Sequence, residues 1–503
     1  MSYKLIENNS AIPLQQIPVL DYNDFYKETS VLLKNEYCHC VNYYAIPESG
    51  GLKFICCIAD DKARNILVAS FVRNNDETSD IESLTSRHYC MHIFEREIHE
   101  KYGIAFSGHP WLKPVRFPFD RKDANSDLGN YPFYDIKSHE LHEVGVGPIH
   151  AGIIEPGHFR FICTGEKVLH LEIHLGFQHR GVEQLMLQKN SLLQKTILAE
   201  SIVGDTVVGH NTAFVQAMEA LGEVSMPQNT KIARTIASEL ERIAMHTADL
   251  SALCTDVAYQ LGSSVLQGLR TIIINTFMIW CGNRFARKLI RCGYEPYPLN
   301  PELINIIKQN LDKFEKRYIE MVDKMFDMPS VLARFDQTGS VSKEQNLMIG
   351  AVGMAARTAG IERDIRQSHP YSYYNEISHE PVILEDGDVK ARAKLRDIEI
   401  RQSLKYIREM LAKYDQESVT LKTKPETINL KPDMFVISLT EGWRGEICHS
   451  AITGNDGSLI HYKIKDPSLH NWMALALAVR NNDISDFPVC NKSFNLSYCG
   501  YDL

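Results

Sequence analysis

Between residues 38 and 73 the apolar side chains fall into three short runs, CVNYYAI, LKFICCIA and NILVASFVR, rich in β-branched, aromatic and cysteine residues. Turn-forming residues separate the runs, first PESGG at 47–51 and then Asp60 and Asp61. Runs of this length and composition are typical of β-strands joined by tight turns. The pattern predicts a small α+β domain over residues 1–118.

Residues 119–140 break this pattern. They combine Asp, Asn, Gly and Pro with no sustained apolar period, which is typical of a connecting segment. We therefore place a linker at 119–140 and a second domain at 141–503.

Beyond the linker the apolar period becomes helical. Between residues 304 and 325 apolar side chains recur at alternating steps of three and four, which places them on one stripe of a long amphipathic helix. Arg234–Leu250 follows the same logic. We expect a mainly helical second domain with some strand near 143–175 and 433–465, and an α+β fold overall. The members of the stripe are Ile304, Ile307, Leu311, Phe314, Tyr318, Met321 and Met325.

Composition excludes several classes of function. The 503 residues contain 54 Lys and Arg against 63 Asp and Glu, a net charge of −9, whereas binding to nucleic acid needs a basic surface. A membrane-spanning helix needs about 20 apolar residues, but the longest apolar run, Thr271–Gly282, has 12 and contains Asn275. We expect no signal peptide and no transmembrane helix, and free thiols in a reducing compartment.

The cysteine spacing argues against a metal site in this chain. No two of the 12 cysteines have the C-x-x-C spacing in which thiolates commonly bind soft metals and iron–sulfur clusters. Neither a G-x-G-x-x-G motif after a strand nor a phosphate-binding loop occurs, so no direct NAD binding is expected.

Motifs in both domains resemble known families. The segment HIFEREIHEKYGIAFSGHP at 92–110 resembles the signature of the C subunit of complex I. GPIHAGIIEPGHFR at 147–160 and HLGFQHRGVE at 174–183 resemble the large subunit of group 4 nickel–iron hydrogenases, the energy-converting or formate hydrogenlyase type, and the related D subunit of complex I. Three further segments follow in the family order, and the chain has the C–D fusion order of the formate hydrogenlyase large subunit. These are SELERIAMH at 238–246, GIERDIR at 360–366 and EGWRGE at 441–446.

The resemblance also reveals a departure at the metal ligands. In the hydrogenases four cysteines hold nickel and iron, and the matching positions here are Val203, Thr206, Ser497 and Gly500. Cys499 lies one residue from an expected ligand, but one thiol cannot replace four. We predict that the nickel–iron centre is absent and that no metal is bound.

In the D subunit of complex I the emptied pocket holds a quinone headgroup. The resemblance therefore implies a quinone site lined by Val203, Thr206, Ser497, Tyr498 and Gly500. The family's quinone tyrosine aligns with Gly204, and we expect Tyr498, in a C-terminal strand, to replace it.

Four residues are expected to carry the chemistry of this site. Glu155 matches the proton-gate glutamate of the hydrogenases, and His150 and His158 match the histidine-rich loop of the D subunit. Arg444 matches the arginine above the metal pair and would orient a quinone oxygen or an anion. The alternative for Glu155 is a helix cap or salt bridge, and the alternative for Arg444 is an ion pair with Glu441 or Glu446.

The resemblance assigns two further groups. His179 and Arg180 are expected to face the partner subunit that carries the proximal iron–sulfur cluster. A structural charge network near the pocket is expected from Glu362, Arg363, Asp364 and Arg366.

The function implied is that of a large subunit of a membrane-associated complex, peripheral on the cytoplasmic face of the inner membrane. It would couple electron transfer from a 4Fe–4S cluster in a small partner subunit, with quinone as the candidate acceptor, to ion translocation by antiporter-like subunits. Two alternatives stay open: a non-catalytic structural coupling subunit, and a genuine nickel–iron hydrogenase.

Overall fold

The structure is a computed structural model that describes residues 2–77, 79–414 and 427–503. The N-terminal part is built on an antiparallel sheet in the strand order β1-β5-β4-β3. Helices α1 and α2 pack on one face of this sheet. The elements are β1 (Lys4–Ile6), β2 (Ile12–Pro13), α1 (Tyr22–Leu32), β3 (Cys38–Glu48), β4 (Gly51–Asp60), β5 (Asn65–Asn74), β6 (Ile81–Glu82), α2 (His92–Tyr102) and β7 (Phe106–Ser107).

The apolar run in β4 is continuous because both faces of the strand are buried. Phe54 and Cys56 face the helices α1 and α2, whereas Ile55 and Cys57 belong to a second apolar cluster. That second cluster lies between this sheet and a sheet of the C-terminal part. The predicted strands at 38–73 are thus confirmed.

The C-terminal part combines two antiparallel sheets with a helical bundle. One sheet has the order β10-β9-β8 and the other β13-β12-β11-β2, so β2 from the N-terminal part is the edge strand of the second sheet. The strands are β8 (His142–Val146), β9 (His158–Thr164), β10 (Lys167–His174), β11 (Met434–Gly442), β12 (Gly445–Thr453) and β13 (Leu459–Lys465). The helices before β11 are α3 (Val182–Gln188), α4 (Leu192–Ala199), α5 (Val207–Leu221), α6 (Gln228–Asp256), α7 (Gln260–Cys281), α8 (Pro301–Asp327), α9 (Pro329–Phe335), α10 (Lys343–Ile349), α11 (Gly353–Arg357), α12 (Ile365–Ser368) and α13 (Val389–Lys413). The helices after β13 are α14 (Ser468–Ala478), α15 (Phe487–Phe494) and α16 (Tyr498–Asp502).

The helical periodicity predicted the bundle correctly. All seven residues of the stripe at 304–325 are buried in α8, and Arg234–Leu250 lies inside α6. Strands β8 to β10 and β11 to β13 lie where strand was expected, near 143–175 and 433–465. Residues 108–141, all of them described, form no helix or strand.

One expectation needs correction. The C-terminal segment is the helix α16 and not a strand, because the Ser497 side chain caps it by accepting a hydrogen bond from the Gly500 N–H at 2.9 Å. Helix α7 is the one helix among the described residues that is long and apolar enough to cross a membrane by length and composition. In the fold, α7 packs against α6 and α8, and the expectation of no transmembrane helix stays a prediction.

Candidate functional site

The candidate site is formed by two segments, residues 201–206 before α5 and residues 495–500 around the start of α16. The arginines Arg180 and Arg444 bridge them. Arg180 donates to the Ser201 and Ile202 carbonyls at 2.7 and 2.8 Å and to the Cys499 carbonyl at 3.2 Å. Two guanidinium groups therefore connect the two segments that contain the positions matched to hydrogenase ligands.

Arg444 lies in the turn between β11 and β12 and is 5% exposed. It forms a bidentate pair with Asp205, at 2.6 and 2.9 Å, and donates to Thr206 Oγ1 at 3.1 Å and to the Asn495 carbonyl at 2.5 Å. Its guanidinium also stacks on the Trp443 ring at 3.8 Å. Burial alone would lower the pKa of Arg444, but the Asp205 carboxylate outweighs it and the pKa is raised. Every donor nitrogen of Arg444 is thus engaged within the protein.

The alternative prediction for Arg444, an ion pair with Glu441 or Glu446, is wrong, because both carboxylates bind other residues. Glu441 accepts from Arg357 Nη2 at 3.4 Å, and Glu446 accepts from Lys465 and His39, each at 2.6 Å. The Arg444 partner, Asp205, comes from the loop after α4. Sequence reasoning missed it because the contact joins residues more than 200 positions apart.

The four positions that match hydrogenase ligands are buried but offer no thiolate. Val203, Thr206 and Ser497 are at most 2% exposed. At Gly500 the Asp466 carboxylate fills the space, since a Cβ there would lie 2.6 Å from the Asp466 carboxyl carbon. Valine and glycine have no ligand atom, so these residues do not fit a nickel–iron pair.

Neither C-terminal thiol supplies the missing ligands. Cys499 lies 3.4 Å from Ser497 Oγ, and burial, followed by the nearby Glu155 charge, raises the pKa of its thiol to about 11. Cys490 is buried beside Gly339. Within residues 2–77, 79–414 and 427–503, no group of three or more His, Cys, Asp or Glu side chains could hold a metal ion. The absence of the metal centre stays a prediction.

Glu155 belongs to the loop 147–157, which folds over α16. The Glu155 charge acts on Cys499, Tyr498 and Asp502. Burial, only partly offset by hydrogen bonds from the Gln178 and Gly176 N–H groups, raises the pKa of Asp502 to about 7. A carboxyl with a pKa near neutrality can exchange protons under working conditions.

The two histidines of this loop bind its own backbone. His150 Nε2 lies 2.8 Å from the Gly157 carbonyl oxygen, and His158 Nδ1 lies 3.2 Å from that of Gly147. Tyr498 packs under Gly157 and against Trp472, with ring centroids 4.8 Å apart. Burial raises the pKa of Tyr498 to about 12. These contacts give His150, His158 and Tyr498 a role in shaping the loop.

The loop that carries His179 and Arg180 is tied to the C-terminus. His179 Nδ1 lies 2.8 Å from the Asp502 carbonyl oxygen, and the Arg180 and Gly181 N–H groups donate to the Leu503 carbonyl. Arg180 is exposed, and His179 is half-buried. A contact on this surface would therefore act directly on residues that hold the site together.

Behind the site lies a buried charge network larger than the sequence predicted. Its centre, Glu399, accepts from Arg357 at 2.7 Å, from Arg366 at 2.5 Å and from His246 at 2.7 Å. Asp364 pairs with the same two arginines, each at 2.7 Å. These arginine charges hold the pKa of Glu399 well below its usual range, against the effect of burial.

The four residues predicted for such a network separate into three groups. Asp364 and Arg366 belong to it, whereas Arg363 reaches Asp61 of the N-terminal part at 3.4 Å, and Glu362 is exposed. Next to the network, burial raises the pKa of Glu441 to about 8, with the Asp364 charge adding to the effect. Glu441 is thus a second carboxyl that can change protonation near neutral pH.

Each of the two parts of the fold contains the match to one family profile. The family profile described as "Respiratory-chain NADH dehydrogenase, 30 Kd subunit" matches residues 22–123, and that of the "49 Kd subunit" matches residues 261–502. The chain belongs to the family of the 49 Kd subunit, the D-type subunit of NADH-quinone oxidoreductase, with the 30 Kd domain fused ahead of it. The predicted resemblance is confirmed.

Relatives come from both branches of this family. The chain is 30% identical to a D-type subunit of NADH-quinone oxidoreductase from Chloroherpeton thalassium over 65% of its length and 79% of that protein. It is 26% identical to "Hydrogenase-4 component G" of Escherichia coli over 92% of its length and 80% of that protein. A chain of the membrane-bound sulfane sulfur reductase, an archaeal respiratory membrane complex, has the same fold, with a TM-score of 0.68, 19% identity and coverage of 74% of this chain and 100% of that one.

Proposed function

We propose that this chain is the large peripheral subunit of a membrane-associated oxidoreductase complex, in which it couples electron transfer to ion translocation. Electrons arrive from a 4Fe–4S cluster in a small partner subunit, quinone is the acceptor we favour, and antiporter-like membrane subunits move the ion. The chain lies on the cytoplasmic face of the inner membrane, and NAD binding belongs to another subunit.

The observation that carries this proposal is the arginine-bridged site itself. In a chain of this family, Arg180 and Arg444 hold the segments 201–206 and 495–500 together, although the residues at the four ligand positions do not fit nickel and iron. A purely vestigial site would not need two arginine bridges. The arginine-bridged segments support a redox site at this place in the fold.

The surface of His179 and Arg180 supports the direction of electron flow. Arg180 is exposed on one side, and its guanidinium binds the Ile202 and Cys499 carbonyls on the other. A cluster-bearing partner docked on this loop would lie one residue layer from the site. Protons required by quinone reduction can pass through Glu155 and Asp502, which interact electrostatically.

One observation favours a second candidate, a non-catalytic coupling subunit. All donor nitrogens of Arg444 are engaged by Asp205, Thr206 and Asn495. A quinone oxygen would have to replace one of these acceptors. In the coupling role the arginine bridges transmit a movement of the partner surface to the membrane arm, and no substrate enters. A nickel–iron hydrogenase, the third reading, has no support in the residues at 203, 206, 497 and 500.

The test compares Glu155→Gln and Arg444→Gln in the intact complex, in membrane vesicles. Electron transfer to a short-chain quinone and ion uptake are measured together, after assembly has been checked by the amount of each subunit. We expect Glu155→Gln to lower quinone reduction at least tenfold in an assembled complex. The control is Arg334→Gln, which alters an exposed pair with Asp486 and should retain full activity.

Full quinone reduction in both variants would overturn the quinone reading and favour the coupling subunit. Metal analysis of the purified complex tests whether the chain is a nickel–iron hydrogenase. One nickel per chain would contradict the absence of the nickel–iron centre.

A further inference from the structure

A cavity lies where the N-terminal part, the linker and the C-terminal part meet. One of its wall residues, Trp472, also donates to the Ser497 carbonyl at 3.3 Å, so the cavity borders the arginine-bridged site. Its volume is about 640 Å³, within the range of pockets that hold small organic molecules. Its walls come from α2, the linker residues 132–135, β10 and α14. Nothing in the proposed electron path uses it.

The body of the cavity is apolar. Trp111 and Phe133 line one side, and Leu171, Trp472 and Met473 line the other. Aromatic and aliphatic walls favour an apolar tail over a polar ligand, because contact with such a tail removes apolar surface from water.

Two of the three cations that line the cavity have no ion-pair partner in the part of the chain that the structure describes. Arg96 and Arg480 both line it, and neither has an ion-pair partner among the described residues. Arg96 donates to the Lys113 and Pro114 carbonyls at 2.8 and 2.7 Å, and Arg480 Nη2 lies 3.3 Å from His170 Nδ1. Lys113 is already paired with Glu172 at 2.6 Å. The acidic residue that lines the cavity is Asp135, in the exposed linker.

His92 adds an unused polar group. It lines the cavity, is only 3% exposed, and has no hydrogen-bond partner at either ring nitrogen. Buried polar atoms are nearly always satisfied, so two orphaned nitrogens on one ring indicate a missing partner. Its ring stacks on Tyr89 with centroids 4.6 Å apart, and the charges of Arg96 and Arg480 both act on the Tyr89 hydroxyl. His92, Tyr89 and the two arginines thus line the same cavity.

We propose that this cavity binds a single-chain anionic amphiphile, whose headgroup lies between Arg96 and Arg480 beside His92, and whose tail lies among Trp111, Trp472 and Met473. Arginine forks suit a carboxylate or a phosphate, and the imidazole N–H donates to a headgroup oxygen. A free fatty acid and a phosphorylated lipid chain share this chemistry. Because the ligand would contact both parts of the chain and the linker, its binding would stabilise their packing.

The test measures binding of decanoate, decyl phosphate and uncharged decanol to the purified full-length chain by titration calorimetry, below their micelle concentrations. We expect one site per chain for at least one of the two anions and at least tenfold weaker binding of decanol. Which anion binds more tightly decides between a fatty acid and a phosphorylated chain. The proposal would be overturned if neither anion bound at a concentration of 1 mM, which corresponds to a binding free energy on the order of −4 kcal/mol. Binding of decanol as tight as that of the anions would also overturn it.

Three variants localise the site. Ala476→Trp fills the cavity from α14 and should abolish anion binding. Arg480→Gln, an exposed position, should weaken anion binding about tenfold and leave decanol unchanged. Asp135→Asn should strengthen anion binding, since it removes the acidic charge at the wall.

The control is again Arg334→Gln, which lies outside the cavity lining. Thermal unfolding of each variant without ligand shows whether it is folded. If Ala476→Trp does not fold, the test relies on Arg480→Gln and Asp135→Asn. Unchanged anion binding in the folded variants would place the ligand elsewhere and contradict the proposal. These readouts are independent of quinone reduction.

Discussion

At the scale of single residues, the site depends on carboxyl groups whose protonation the fold has shifted. Asp502 is fully buried and accepts two backbone N–H groups, yet burial still raises its pKa to about 7. Glu155 adds a negative charge nearby, which raises the pKa further. The sequence motifs identified Glu155 by resemblance, but Asp502 could not be found from the sequence because its shift comes from burial and from contacts with residues 176 and 178.

The raised pKa of Asp502 predicts a pH dependence of stability. The folded state keeps a proton that the unfolded state releases near pH 4, so this contribution to stability is present below about pH 4 and is lost as the pH rises to about 7. The stability lost over this pH range is roughly 1.4 kcal/mol for each unit by which the pKa is raised, less whatever solvent relaxation around the carboxylate recovers. The free energy of unfolding of Asp502→Asn, measured by denaturant between pH 5 and pH 8, should therefore rise relative to that of the native chain as the pH increases.

The comparison uses the change with pH and not the absolute stability, because asparagine also alters the hydrogen bonds to Gly176 and Gln178. Asp456→Asn, at an exposed turn, is the matched control. A pH-independent difference between Asp502→Asn and the native chain would show that the Asp502 pKa is not raised.

At the scale of elements, the part of the site least accessible from the sequence is the short helix α16. The sequence analysis placed Tyr498 in a C-terminal strand, whereas the Ser497 side chain caps a helix there and Gly500 packs against Asp466. Asp466 is itself held by His210, at 3.0 Å. The helical stripe of α8 was predictable because seven residues repeat one period, whereas a five-residue helix carries no period at all.

Gly500→Ala tests the packing of α16. A Cβ there would lie 2.6 Å from the Asp466 carboxyl carbon, so we expect a loss of about 1–3 kcal/mol in the free energy of unfolding from overpacking. Gly268→Ala in α7 is the matched control, since its Cβ would meet nothing within 4 Å, and it should be neutral or stabilise by about 0.5–1 kcal/mol. If the free energy of unfolding in urea is the same for Gly500→Ala and the native chain, then α16 does not pack closely against Asp466.

At the scale of the whole molecule, the two parts are joined by more than the linker. The N-terminal sheet and the sheet of β11–β13 pack through one apolar cluster that includes Ile55, Val68, Ile437 and Leu439. Strand β2 adds an edge to the second sheet, and His39 binds Glu446 at 2.6 Å. The sequence indicated two domains and a linker. It could not indicate this interface, because a buried strand has the same apolar run whether a helix or another sheet covers it.

Because the interface is apolar and continuous, the two parts should unfold in one cooperative transition. Ile437→Ala removes a side chain that is fully buried in it, and we expect a loss of about 2–5 kcal/mol together with two separate transitions in scanning calorimetry. Ile307→Ala is the matched control: it is equally buried, but in α8 of the bundle, so it should lower the stability while a single transition remains. If Ile437→Ala also unfolds in a single transition, the coupling between the two parts does not depend on this cluster, and the linker with β2 must supply it.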